Sequence, residues 1–470
     1  MNPTLQQDLI DIEIILEKVK KQGIGFLNSI NTIPTSTQNT ISTNRNLNNS
    51  SLGTLSALEE FNQRLAPLMV SQSGPRYWGF VTGGATPASI VGDWLTTIYD
   101  PNAQATKAQG GVSALIEIET INLLLQLLNL PTTFLGGFVT GATMSNFTCL
   151  AVARQWFGNQ LGNDFAKNGI LEPIHILTAT PHSSSVKCLA MLGIGSQSFT
   201  KIKTIEGNRE AIDINDLENN IESLKGKPFI LISSAGTVNS ADFDDFNAIS
   251  KLKEKYNFWW HIDAAFGGFA ACSPKYKHLV EGWEYADSIT IDCHKWLNVP
   301  YESAFYLVKE QYKNLQIETF QNSNAPYLGN PLENFSYLNF LPENSRRLKA
   351  LPVWFSLLAY GKQGFQDIVE NSIAMALQLD TFITQNESFE LLSPTRLNNV
   401  CFTLEGDHNQ EKVNSFLTHL NDRGEVFMTP TVYNNKKGIR ASFVNWRTNE
   451  NDIRIAIEEM KASILDLGIE

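Results

Sequence analysis

The sequence predicts an α/β protein built on a mainly parallel sheet, followed by a smaller α+β domain. Three observations carry that prediction. From about Phe134 onward, short apolar runs alternate with helical patterns, the mark of βαβ units. The residues able to do chemistry fall just after those runs, where ligands sit in parallel sheets. After Leu351 the pattern changes to a helix-rich stretch and then a mixed tail.

The elements follow in order. Leu5, Leu9, Ile12, Leu16 and Val19 recur at helical spacing, with Thr4 placed as an N-cap and Gly23 as a stop. Ile10, Ile14 and Ile15 widen this stripe beyond what one flank of a monomer usually buries. The helix therefore packs on a second subunit or on its own domain. Between positions 28 and 51, Asn, Ser and Thr dominate, which reads as an extended connector. Strands are predicted over 134–140, 174–180, 229–234, 258–264, 287–292 and 304–308, and helices over 146–157 and 244–256. The chain thus divides into an N-terminal helical arm and dimerisation segment (1–86), a large domain (87–350) and a small C-terminal domain (351–470).

Composition narrows the function. The 470 residues include 36 basic and 48 acidic ones, a net charge of −12, which argues against nucleic acid or another polyanion as partner. No apolar run reaches the roughly 18 residues of a membrane span. The first residues are acidic without a cationic segment, so no secretory signal is expected. Cys149, Cys188, Cys272, Cys293 and Cys401 are scattered and lack metal-ligand spacing, which predicts reduced thiols in a cytoplasmic protein without a metal.

The richest segments are Ile262-Asp263-Ala264-Ala265-Phe266-Gly267-Gly268 and Ile289-Thr290-Ile291-Asp292-Cys293-His294-Lys295-Trp296. Each is an apolar strand ending in ionisable groups. An acid at one strand end and a lysine at the next suit pyridoxal 5'-phosphate: the amine forms a Schiff base and the carboxylate keeps the pyridine nitrogen protonated. Taken singly, Asp263 reads better as a turn residue or helix cap and Lys295 as a solvated loop residue; together with the segments below, the chemical reading wins. Gly136 to Asn146 runs from a strand through Gly141, placed to let the chain turn tightly, into a helix whose first amides, at Ala142 and Thr143, can face an anion. His182 follows another strand and reads either as a ring stacked on an aromatic cofactor or as a loop histidine. Thr237, after the strand at 229–234, offers a hydroxyl donor, and Asp244 reads as a helix N-cap.

In this order, Gly141-Ala-Thr-Met-Ser-Asn146, Pro181-His-Ser183, Gly236-Thr-Val-Asn239, Asp263-Ala-Ala-Phe-Gly-Gly268 and Asp292-Cys-His-Lys-Trp296 resemble the group II pyridoxal-phosphate-dependent amino acid decarboxylases. That family includes the aromatic-L-amino-acid and glutamate decarboxylases. The likeness extends upstream to Gly74-Pro-Arg-Tyr-Trp-Gly-Phe80 and downstream through Arg346-Arg347 and Trp354. It implies a large domain of pyridoxal-phosphate fold type I, the aspartate aminotransferase-like fold, and a homodimer with sites at the subunit interface.

The resemblance also implies roles. Lys295 would hold the internal aldimine, Asp263 would pair with the pyridinium nitrogen, and His182 and Ala265 would cover the two ring faces. Ala142 and Thr143 would bind the phosphate, with His294 close by and Thr237 a further cofactor contact. Tyr327, beside Leu328, matches the family's loop tyrosine, with Tyr337 a competing candidate; Tyr327, or a water or His182 acting with it, would protonate the product carbon. Phe80, with Trp78 and Tyr77 near it, points to an apolar pocket and leans toward an aromatic substrate, though these rings read equally as core. Three positions depart from the family pattern: Val238 where some members carry threonine, Gly74 where histidine is common, and Pro352 where lysine is frequent and where the helix is expected to start. The expected activity is decarboxylation of an L-amino acid to an amine. An aldehyde-forming decarboxylase, or another pyridoxal-phosphate lyase or aminotransferase, is the alternative, and a non-catalytic binding protein a more distant one.

Overall fold

A computed structural model describes residues 1–47, 49–107, 110–321, 335–406 and 410–469. Among these the large sheet has seven strands: β1 (Phe134–Val139), β2 (Ile176–Thr178), β3 (Thr200–Lys201), β4 (Phe229–Ser234), β5 (Phe258–Asp263), β6 (Ser288–Asp292) and β7 (Ala304–Lys309). Their order is β1-β7-β6-β5-β4-β2-β3, and only β7 runs antiparallel to its neighbours. All six residues of β5 are buried, as expected of a central strand covered on both faces. The helix Ala142–Gln160 covers one face and buries most of its length there. A parallel sheet collects its strand ends along one edge, so β5 ends at Asp263, opposite Thr290, and β6 runs two residues further to Asp292 on the same edge.

The predicted strands all form, with ends shifted by at most two residues. The chain beyond them builds a second, antiparallel sheet from β8 (Phe389–Leu391), β9 (Asn399–Leu404), β10 (Thr429–Tyr433) and β11 (Lys436–Ser442). The long helix Ala350–Gln385 leads into it, interrupted at Gly361, whose φ of 58° departs from helical geometry. Pro352 does not open this helix. It sits in the first turn, where its missing N–H has no intrahelical partner to lose.

Residues 75–79 cross from the N-terminal arm onto this second sheet. Arg76 pairs with buried Asp452 at 3.1 Å, and Trp78 packs on Phe443 with ring centroids 4.5 Å apart. Gly74 is tightly packed: a Cβ there would lie 1.9 Å from Ser71 Oγ and 3.0 Å from the Ser71 carbonyl oxygen, so a side chain at this position would force Ser71 to move.

Local punctuation differs from expectation in three places. Asn2, not Thr4, caps the first helix, because its carboxamide accepts from the N–H groups of Thr4 and Leu5. Gly23 does not stop the arm; the helix Ile12–Ser29 runs through it, since the flanking residues sustain the helical bonds past one poor helix former. Asp245, not Asp244, caps the helix Phe246–Lys255. Asp244 turns inward and accepts from the N–H groups of Ile212 (2.6 Å) and Ser234 (2.7 Å), and burial pushes its carboxyl up to about 7. Among the described residues no helix is long and apolar enough to cross a membrane.

Candidate active site

A cavity of about 280 Å³ opens at the carboxyl ends of β4, β5 and β6. Its walls include Phe80, Ala142, His182, Thr237, Asp263, Ala265 and Lys295. Thr143 and His294 are not among the lining residues, but they adjoin Ala142 and Lys295 in the chain. Residues from six separate sequence segments thus meet in one place.

The lysine end is held by a residue to which the sequence reading gave no role. Asp292 Oδ2 lies 2.8 Å from Lys295 Nζ, while its Oδ1 accepts from Ala142 N–H at 2.7 Å and stands 3.7 Å from His294 Nε2. One buried carboxylate therefore ties the lysine strand to the start of the Ala142–Gln160 helix. A signal was available in Asp-Cys-His-Lys, where the acid precedes the lysine by three residues. Burial lowers the His294 pKa, with Asp292 opposing and Lys295 reinforcing that shift.

Asp263 is anchored from behind. Its Oδ2 accepts from Asn146 Nδ2 (3.0 Å) and Ser185 Oγ (3.2 Å), and its Oδ1 from Ala265 N–H (3.3 Å). His182 caps the next helix through Nδ1, which accepts from Ser184 N–H at 3.2 Å and lies 2.7 Å from Ser184 Oγ. That commitment leaves the neutral ring's proton on Nε2. Desolvation lowers the His182 pKa, with Asp263 opposing and Lys295 and Arg440 adding to it.

Thr237 lines the cavity, but its hydroxyl is engaged: it donates to Glu210 Oε2 at 2.5 Å and accepts from Asp242 N–H at 3.0 Å. Gly141 has an extended φ of −170°, so the turn before the helix does not need glycine's left-handed freedom. Close approach does demand glycine at Gly83, where a Cβ would lie 2.2 Å from the Lys295 carbonyl oxygen.

The aromatic residues separate. Phe80 faces the cavity and is 62% exposed. Trp78 and Tyr77 do not face it: Trp78 belongs to the core of the second sheet, and Tyr77 stacks on Phe427 at 4.6 Å. Tyr337 is fully buried under the Arg346 guanidinium, 4.5 Å from ring centroid to Cζ, and lines no part of the cavity. Tyr327 lies outside the described residues. Sequence reasoning missed Arg440, a buried cation on the cavity wall that donates to Val238 O at 2.9 Å and has no ion pair among the described residues. It comes from β11, far along the chain, and no local motif marks it.

The donor set fits pyridoxal phosphate. A reachable lysine amine, an anchored carboxylate, an imidazole and a small residue share one cavity with a helix start at Ala142. Gly141 has no side chain to cap that start, which leaves the Thr143 and Met144 amides able to meet an anion.

Comparison with known proteins agrees. A model of the pyridoxal-dependent decarboxylase conserved domain matches residues 37–405. The aromatic-L-amino-acid decarboxylase of Bacillus atrophaeus is 29% identical over 407 residues, covering 84% of this chain and 82% of the relative. Tyrosine decarboxylase 2 of Narcissus pseudonarcissus is 26% identical over 432 residues, covering 87% and 85% respectively. The crystal structure of Oryza sativa TDC with PLP and tryptamine shares the fold, with a TM-score of 0.88 at 21% identity and 98% of each chain covered. The chain is a member of the pyridoxal-dependent decarboxylase family, and its cofactor is pyridoxal 5'-phosphate.

Proposed function

We propose that this enzyme decarboxylates an aromatic L-amino acid, releasing carbon dioxide and the amine, with Lys295, Asp263 and His182 as its principal working groups. The observation that carries the proposal is their convergence, with Arg440, on a single cavity whose remaining wall is largely apolar. Phe80, Val81, Pro181 and Val238 offer a surface for an aromatic side chain, and relatives bearing the names aromatic-L-amino-acid and tyrosine decarboxylase support that substrate class.

Bound pyridoxal phosphate supplies an electron sink for the pair left behind when carbon dioxide departs. The chain's own residues do the rest. Lys295 Nζ would hold the cofactor covalently and yield it to the substrate amine, and Asp263 would face the pyridine nitrogen. His182 and Ala265 would cover opposite ring faces, while Thr143 and His294 would serve the phosphate end beside Ala142, whose own N–H, expected from the sequence to face the anion, is given to Asp292 instead. Thr237 would pack against the cofactor, its hydroxyl turned to Glu210. Arg440, which has no carboxylate partner among the described residues, would orient the substrate carboxylate. The apolar wall beside it favours loss of that charge by excluding water. His182 holds a proton at Nε2, and it or Tyr327 would deliver the proton to the product carbon.

The domain division at residues 86 and 350, a homodimer and a cytoplasmic location belong to the same proposal. Support for the dimer comes from the N-terminal arm, where Leu5 is 63%, Leu9 65% and Ile10 70% exposed. An apolar stripe that open to water needs a partner.

The test is a product screen. Purified holoenzyme is offered each common amino acid, and carbon dioxide, amine, aldehyde and ammonia are measured together. The proposal expects amine and carbon dioxide in equal amounts from an aromatic substrate. Aldehyde with ammonia, or turnover confined to acidic amino acids, contradicts it.

A further inference from the structure

Behind Asp263 runs a buried chain of hydrogen bonds that no step above uses. Trp259, His261 and Asp263 alternate along β5 and so point to the same face, the one covered by the Ala142–Gln160 helix. Trp259 Nε1–H donates to Ser288 Oγ at 3.0 Å, and Ser288 Oγ lies 2.9 Å from His261 Nδ1. His261 Nε2 lies 2.9 Å from Asn146 Oδ1, and Asn146 Nδ2 donates to Asp263 Oδ2 at 3.0 Å. His261, Asn146 and Ser288 are fully buried, so water cannot substitute for any missing partner.

The direction of every proton in this chain follows from its two ends. An ionised carboxylate only accepts, so Asn146 must turn its amide N–H toward Asp263 and its carbonyl toward His261. That carbonyl needs a donor, which places the imidazole proton on Nε2. Nδ1 is then bare and accepts from the Ser288 hydroxyl, which remains able to accept from the indole N–H, a group that can only donate. Both ends demand the same polarity. Burial lowers the His261 pKa to about 4, which keeps a single proton on the ring.

We infer that His261, acting through Asn146, is a positioning residue that locks the Asp263 carboxylate in the orientation needed to meet the cofactor's ring nitrogen. Asn146 Nδ2 also lies 3.2 Å from Ser184 Oγ and 3.3 Å from Ser185 Oγ, but His261 supplies the donor that its carbonyl needs. Without it the amide loses the contact that opposes a flip, and a flipped amide would turn its carbonyl on the Asp263 carboxylate, which repels it. The inference rests on Asp263 as the partner of that nitrogen.

The test compares His261→Phe, Asn146→Leu, their double variant and His261→Gln, which retains a donor at the end of its side chain, with the parent and Asp263→Ala. Pyridoxal phosphate affinity and the visible absorption of the bound cofactor are read in each. The first two variants should bind the cofactor about tenfold or more weakly, the scale of a hydrogen bond to a charged group, with a shifted absorption band. His261→Gln should recover most of the loss, and the double variant should be no worse than Asn146→Leu alone, because one acts through the other.

Parental affinity and spectrum in folded His261→Phe or Asn146→Leu, or simple additivity in the double variant, overturns the inference. Should the variants not fold, ¹⁵N shifts of selectively labelled parent holoenzyme decide it: a His261 proton on Nε2 supports the relay, and one on Nδ1 ends it. If Asp263→Ala also binds normally, the site assignment itself is wrong, a distinct failure.

Discussion

Gly83→Ala probes how finely the lysine must be placed. A Cβ at position 83 would lie 2.2 Å from the Lys295 carbonyl oxygen and 2.7 Å from that of His294. Ordinary contact begins near 3.4 Å, so the two backbone segments must part by more than 1 Å at the first of these points. Neither obstacle is a flexible side-chain tip, and the lysine segment is pinned by Asp292. Over-packing of this kind destabilises by about 1–3 kcal/mol. A displacement of about 1 Å at a reacting group can lower turnover on the order of a hundredfold. The assay is kcat for amine release beside thermal unfolding of the holoenzyme. We expect kcat to fall by about that factor, with a lower Tm. A Gly83→Ala enzyme with parental kcat and Tm would refute the argument that this contact sets the lysine's position.

Four further outcomes follow from the same structure. Asp263→Ala should weaken cofactor binding by about 1.5–3 kcal/mol, the range of a charge-assisted hydrogen bond, and depress turnover sharply, measured by cofactor titration and amine release. Tyr337→Phe should leave turnover unchanged, because its buried hydroxyl has no hydrogen-bond partner among the described residues and lies away from the cavity, whereas Tyr327→Phe should slow amine formation and let aldehyde appear. Deleting residues 1–23 should cost the proposed dimer or cause aggregation in light scattering, since the arm's apolar side chains stand exposed in the single chain. Asp244 has a folded pKa raised to about 7, so its contribution to stability is present below the unfolded carboxylate range and lost as pH rises toward 7. Denaturant titrations should show that pH-dependent component vanish in Asp244→Asn, and an unchanged pH dependence of the difference in stability would contradict the assignment.

Six of the seven strands were legible because they are mostly buried and read as apolar runs punctuated by their reactive ends; the exposed two-residue edge strand β3 carries no such run. Phe258-Trp-Trp-His-Ile-Asp263 shows this directly: alternation along the strand puts Trp259, His261 and Asp263 on one side, as the fold confirms. Less was legible where the decisive partner is distant in sequence. Nothing near Arg440 marks it as part of the cavity; β11 brings it there only after the second sheet has formed. Nor does sequence distinguish Phe80 from Trp78 two residues earlier, since which ring faces the cavity depends on how residues 75–79 cross onto the second sheet. Capping was misplaced by one or two residues at both Asn2 and Asp245, where neighbouring residues compete for the same amides.

The central claim is that Lys295 is the cofactor's point of attachment in a decarboxylase. Its most direct test is borohydride reduction of the holoenzyme, proteolysis and mass mapping of the cofactor-bearing peptide. The account predicts one pyridoxyl group per chain on Lys295 and none in Lys295→Ala. A label on any other lysine, or a parent enzyme that keeps full turnover after borohydride reduction, would contradict it.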